Sequence, residues 1–282
     1  MKQETRNTDQ GSVTKVDPSA KLPANMMEQH AGAGLEKLTQ DDLSMPFLKI
    51  LMPLSPQCNS SDNRYIPDAK PGMILNSDTK ALYTGEEGIR VVPCHYERKY
   101  LEWAERGSSV GRPIVHPEDT PLKNETTRDK GFKDRLLNGN YLERTSYHFV
   151  ILLNGAPTIS VITMKASQNR ASKDWMAEIN SWTEKGSKGM YIMPIYGHIY
   201  RLTSIPQSNA KGTWFGWKIT REGRNENVNL FKMAADFSTK FKKGVIKTDI
   251  SAEEDYVKKA TSFKVLLVGK IGATNLAVKL PR

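Results

Sequence analysis

Rings and cations recur side by side along this chain, and that pairing is the chemistry its residues suit best. Tyr96, Arg98, Lys99 and Tyr100 lie in one run, Tyr196, Tyr200 and Arg201 in a second, and Trp214 and Lys218 in a third. Lys165 and Arg170 stand at a strand-to-helix junction, where helix N-terminal amides can also meet an anion. A base needs a π-face to stack on and a cation near its phosphate, so this mixture fits single-stranded nucleic acid. The competing reading puts each ring beneath a loop and each cation on a solvated helix face.

Other chemistries leave no trace in the motifs. The sequence has no HExxH, GxSxG, Walker loop or dinucleotide fingerprint. His30, His95, His116, His148 and His198 are scattered, and none pairs with a carboxylate at metal-ligand spacing. Cys94 and His95 are adjacent, and simple strand alternation sends them to opposite faces. The expectation is therefore a non-catalytic protein with no cofactor and no metal. Two rival classes stay open: a metal-dependent nuclease whose carboxylates converge only in three dimensions, and a strand-annealing or structural assembly protein.

Which elements would hold the rings and cations in place? Apolar runs at 147–153 and 157–164 flank Asn154-Gly155, a dipeptide suited to a tight hairpin turn. A helix follows, capped by Ser167, striped by Ala171, Trp175, Ile179 and Trp182, and closed by Gly186. Trp175 and Trp182 belong to the core on this reading. Further strands are predicted at 195–202 and 213–220, joined by a polar loop with Pro206, Ser208, Asn209 and Gly212. Alternation gives the first of these a core set of Ile195 and Ile199 and an outer set of Tyr196, His198 and Tyr200. It gives the second a core set of Phe215, Trp217 and Ile219, with Trp214 and Lys218 outside. Arg201 falls on the core-facing set, near a strand end. Upstream, 89–96 is apolar on both sets, as for a strand buried on both faces.

The order strand, strand, strand, helix, strand, strand is that of an OB-fold barrel, whose sheet face and loops bind oligonucleotides. The expected fold is thus mainly β (α+β), an OB-fold-like antiparallel barrel with a long inserted arm and a small helical C-terminal extension. Residues 1–33 are polar and aperiodic, a disordered tail. Residues 34–222 form the binding core, and 104–145 supply the arm, rich in Gly, Pro and charge. Residues 223–282 form the extension, with a helix over 229–243 ended by Gly244, and a capping box at Ser251 opening another. Short strands are expected near 46–54, 71–76 and 81–83, a short helix at 35–43, and a strand at 265–268.

Composition narrows the partner. The 282 residues carry a formal net charge of +10, and residues 160–250 hold 15 Lys or Arg against 7 Asp or Glu. The excess lies with the barrel-like half and suits an anionic partner. Cys58 and Cys94 show no paired spacing and read as reduced thiols. No apolar run nears the ~20 residues of a membrane span, and residues 1–25 show no secretory signal. No membrane partner is expected, and the location is cytoplasmic, in the host cell if a phage encodes the chain.

The stretches Leu43-Ser44-Met45-Pro46-Phe47-Leu48-Lys49-Ile50-Leu51, Leu54-Ser55-Pro56 and Ala69-Lys70-Pro71-Gly72-Met73-Ile74-Leu75-Asn76 carry a further signal. Together with Val91-Val92-Pro93 and Tyr100-Leu101-Glu102-Trp103, they resemble bacteriophage single-stranded-DNA-binding proteins of the OB-fold type. The likeness spans residues 40–222. It implies a protein that coats single-stranded DNA without reading sequence during replication or recombination. It also implies replication or recombination proteins as partners and self-association on DNA. One departure is the ending Val278-Lys279-Leu280-Pro281-Arg282, where many such proteins carry an acidic partner-recruiting tail.

Overall fold

The computed structural model describes residues 45–104, 113–210 and 212–246, besides Asn25, Gln29 and Ala33. The chain divides into two units, Met1–Asp42 and Leu43–Arg282, and the architecture below is that of the second. Apart from those three residues the expected tail, and with it the helices at 35–43 and 251–260 and the strand at 265–268, lie outside the described residues.

Short strands β1 (Leu48–Ile50), β2 (Ile74–Asn76) and β3 (Leu82–Tyr83) form a small antiparallel sheet. Two long strands then dominate, β4 (Ile89–Trp103) and, after the short β5 (Ile114–His116), β6 (Thr127–Arg128) and β7 (Asp134–Arg135), β8 (Tyr141–Leu152). Strand β9 (Thr158–Lys165) returns along β8 and leads through a 3₁₀ turn into helix α1 (Asn169–Ser181). A small hairpin, β10 (Thr183–Gly186) and β11 (Gly189–Ile192), precedes the long hairpin of β12 (His198–Asn209) and β13 (Gly212–Arg224). Helix α2 (Val228–Lys242) follows. The large sheet runs β13-β12-β4-β8-β7-β6, with β5 added to β4 and β9 to β8. It curls into an antiparallel half-barrel, so the molecule is mainly β with a short helical C-terminal segment. Among the described residues no helix is long and apolar enough to cross a membrane.

The two apolar sets of β4 and β8 have different partners. Ile89, Val91, Val150 and Leu152 pack with Trp175 of α1, Tyr200, Leu202 and Trp217. Val92, Phe149 and Ile151 pack on the other face with Ala234 and Phe237 of α2. Fully burying a side chain such as Phe149 contributes about 1.5–3 kcal/mol, so a strand used on both faces is strongly fixed. Asn227 caps α2 by accepting from the Asn229 and Leu230 amides at 2.9 and 3.1 Å, and Gly244 ends it at φ +69°.

Several local expectations change. Pairing of β8 with β9 stops at Leu152↔Thr158, so 153–157 replace the two-residue Asn-Gly turn, and Asn154 Oδ1 accepts the Arg90 amide at 2.8 Å. Helix α1 has no side-chain cap and ends at Ser181, so Gly186 lies in β10 instead of closing it. Trp182 is only half-buried, with the Arg221 guanidinium 3.6 Å over its ring. The polar loop expected at 206–212 is largely strand: β12 and β13 pair as far as Asn209↔Gly212. Pro206 is tolerated because β4 pairs β12 only at Tyr200, Arg201 and Leu202, leaving an edge that needs no donor there.

The register of β4 against β8 skips between Pro93 and His95, so Cys94 is a bulge. Cys94 and His95 therefore do not face apart. Cys94 belongs to the cluster under α2, and the His95 ring lies 4.4 Å from that of Phe241 in the same cluster. Burial pushes the Cys94 thiol up to about 12, and burial followed by nearby Lys242 lowers the His95 pKa.

Candidate nucleic-acid interface

Beyond the bulge, alternation places Tyr96, Arg98, Tyr100 and Glu102 on one face of β4, beside His148, Ser146, Arg144 and Leu142 of β8. The Tyr96 hydroxyl lies 3.3 Å from Ser146 Oγ, and its ring is 5.1 Å from that of His148. His148 is wholly buried, which pulls its pKa down to about 3 and keeps it neutral. Its Nε2 is 2.9 Å from Ser172 Oγ, and its ring stacks on Trp175, so it ties α1 to the sheet. That contact fixes the strand-to-helix junction over the end of the same face.

A groove of ≈ 880 Å³ opens there. Tyr100, Leu142 and Arg144 belong to its sheet side, Ala166, Ser167 and Asn169 to the junction, and the segment 123–134 to the facing wall. Lys123, Arg128, Lys133 and Arg144 all line it. Lys133 Nζ sits 4.0 Å over the Tyr141 ring, and Asn169 Nδ2 donates to the Arg144 carbonyl at 3.3 Å. Of the carboxylates along it, Asp134 takes the Arg128 guanidinium at 2.9 and 3.1 Å, and Glu143 is 3.6 Å from Lys165. A second recess shares Ala166 and Ser167 and continues to Asn209, Gly212, Thr213 and Trp214 at the β12–β13 tip. The two form one track from the 123–134 wall to the hairpin tip, lined by cations, rings and amides.

The wall comes from the segment expected to be an inserted arm at 104–145. Residues 105–112 lie outside the described residues, but the rest is woven into the sheet. β5 pairs with Tyr100, Leu101 and Glu102, and β7 pairs with Leu142 and Tyr141. Buried Glu102 is the fastening point. It accepts from Asn138 Nδ2 at 3.0 Å and Asn140 Nδ2 at 2.6 Å, and lies 2.8 Å from His116 Nε2. The Asn140 hydrogen bond, then those of Asn138 and His116, hold its carboxyl below the usual range against the opposing effect of burial.

The residues singled out in the sequence scatter around this track. Tyr100 lies in the groove and Trp214 in the recess, its Nε1 donating to Gln207 Oε1 at 2.7 Å. Arg98 shares the face of Tyr100, and its Nη2 is 3.2 Å from Glu118. Lys99 points to the opposite face, 3.1 Å from Glu97. Lys165 pairs with Glu143, and exposed Arg170 lies 3.7 Å from Asp174. Lys218 is exposed, and Phe215, Trp217 and Ile219 face the core as expected.

Three assignments on the second run need correction. Tyr200 is fully buried with its ring edge-on to Trp175 at 5.5 Å, so it cannot stack on a base. Tyr196 lies in a 3₁₀ turn, Ile195–Gly197, and packs edge-on to Phe231 of α2 at 4.9 Å, away from the groove. Arg201 faces outward, not coreward, and is held 2.6 Å from Glu222, which also takes Arg90 at 2.6 Å. The faces of β12 are thus the reverse of those expected: Tyr200 and Leu202 turn toward Trp175 of α1, and Arg201 turns away from it. Sequence reading missed Lys123, Arg128, Phe132, Lys133, Tyr141 and Arg144. The interleaving of rings and cations used elsewhere also runs through Phe132-Lys133 and Tyr141 to Arg144.

Residues 14–247 match the family described as Pam3 phage gp34-like protein. The chain belongs to that family, and so is a phage protein. Neither the comparison with curated proteins nor that with solved structures gave a match. Among the described residues no group of three or more His, Cys, Asp or Glu is placed to hold a metal ion.

Proposed function

We propose that this phage protein binds single-stranded DNA without reading its sequence, coating and protecting strands during replication or recombination in the host cytoplasm. The observation that carries the reading is the track that runs from Lys123, Arg128 and Lys133 past Tyr100, Tyr141 and Arg144 to Trp214. Cations along it meet successive phosphates, and rings offer faces to bases of any identity. The strand order, with a helix between the third and fourth long strands, supports an OB-type barrel, and in such barrels sheet face and loops carry oligonucleotides. Arg144 is the central cation: it is half-buried, is anchored through its own carbonyl to Asn169, and pairs with no carboxylate among the described residues.

The test is a fluorescence-anisotropy titration of labelled oligo-dT and of a duplex of equal length at several salt concentrations. Single strands should bind more tightly than duplex. Arg144→Ala should flatten the plot of log affinity against log salt by ~0.7, the value for one phosphate contact on a single strand. Duplex binding as tight as single-strand binding sinks the reading.

A further inference from the structure

The tip of the β6–β7 hairpin holds a large ring in a conformation that works against it. Phe132 has φ +63°, the left-handed region in which a bulky side chain is a genuine outlier. Glycine stands one position earlier, at Gly131, which is not among the glycines with positive φ. The turn itself is tightly specified. The Phe132 amide donates to the Asp129 carbonyl at 3.0 Å and the Lys133 amide to Asp129 Oδ1 at 2.9 Å, while the Asp129 amide reaches the Lys133 carbonyl at 2.9 Å. A glycine would serve this turn better. Nor does burial compensate for the strain, since Phe132 is 69% exposed. Strain held by an exposed ring at the lip of a groove points to use of the ring by a ligand. Phe132 lines the groove, and the next residue puts its ammonium over Tyr141, which also lines it.

Resting on the single-strand reading above, we propose that Phe132 is a stacking residue of the groove, taking an unpaired nucleobase against its largely exposed ring while Lys133 and Arg144 hold the flanking phosphates. Its contribution depends on the base and not on the backbone charge. It also favours single strands over duplex, because a paired base offers no free face.

The experiment uses the full chain with Phe132→Gly and Phe132→Tyr. The probes are oligo-dT and an abasic oligomer of the same length, which keeps the phosphates and removes the bases. Phe132→Gly should weaken oligo-dT binding by roughly 5- to 140-fold and leave abasic binding and the salt slope unchanged. Its melting temperature should be unchanged or higher, since glycine accepts this φ. Phe132→Tyr should restore oligo-dT binding. If wild-type protein binds oligo-dT but Phe132→Gly binds it equally well, the stacking role is overturned and the single-strand reading survives. An equal loss on both probes also overturns it, because the residue would then only shape the wall. Wild-type protein that binds no single strand overturns the parent reading itself.

Discussion

Removing the Glu102 carboxylate should release the wall of the groove without unfolding the half-barrel. Glu102 takes two amides and a histidine from the 113–140 segment, at 2.6 to 3.0 Å. A hydrogen bond to a charged group contributes about 1.5–3 kcal/mol, which for three bonds is an upper bound. Asn138 is exposed and Asn140 half-buried, so their amides can turn to water once released. Discounted for that, Glu102→Ala should cost ~2–4 kcal/mol, falling on the local closure of 113–140. Hydrogen exchange reads this directly. Protection over 113–140 should drop roughly 30- to 700-fold while 145–165 stays near wild type. The sign with pH follows from the depressed carboxyl. Its stabilisation is complete above the unfolded glutamate pKa of about 4.3 and disappears as pH falls through the lower folded value. As pH falls through that lower folded value, the wild-type protein should therefore come to resemble Glu102→Ala in that segment. Unchanged protection in Glu102→Ala would mean that strand pairing alone holds the wall.

Two further outcomes follow from the same geometry. Tyr200→Phe removes a buried hydroxyl that has no hydrogen-bond partner among the described residues. Stability measured by denaturant should change by less than ~1 kcal/mol, and oligo-dT affinity should not change at all; lost affinity would return Tyr200 to the binding face. Asp134→Asn loosens the bidentate hold on Arg128 in the groove, and should tighten oligo-dT binding and steepen its salt slope by ~0.7. An unaltered slope would show that Arg128 never reaches a phosphate.

How much of this was legible in the sequence depends on the range of the cause. Strands β4, β8, β9 and β13 and helix α2 were visible because their signals are local: branched and aromatic runs, a 3.6-residue stripe, and Gly244 as a stop. The core faces of β13 also followed from alternation, since only one of its sets is strongly apolar. For β12 both sets qualify, with Ile199 on one and Tyr200 on the other. The choice was made elsewhere in the chain, by Trp175 of α1, which needs a large neighbour and takes Tyr200. The bulge at Cys94 is similarly a property of the pair, because the skip exists only relative to Phe149 and Val150.

The groove wall was hidden for a different reason. Composition over 104–144 reads as a solvated insertion, with few large apolar residues to mark a core. What holds it is polar and non-local: Glu102 meets partners 14, 36 and 38 residues further along the chain. Within Tyr100-Leu101-Glu102-Trp103, alternation offers Glu102 no reason to be buried. The burial becomes favourable only when Asn138 and Asn140 bring amides that satisfy the carboxylate, since an unpaired buried charge would be costly. The extension of β4 to Trp103 and of β8 back to Tyr141 has the same origin, because each added pair needs β5 or β7 beside it. The outer ends of β4 and β8, the buried carboxylate and the basic wall therefore depend on one another. This is why the residues that line the groove were placed by contacts that no single stretch of sequence contains.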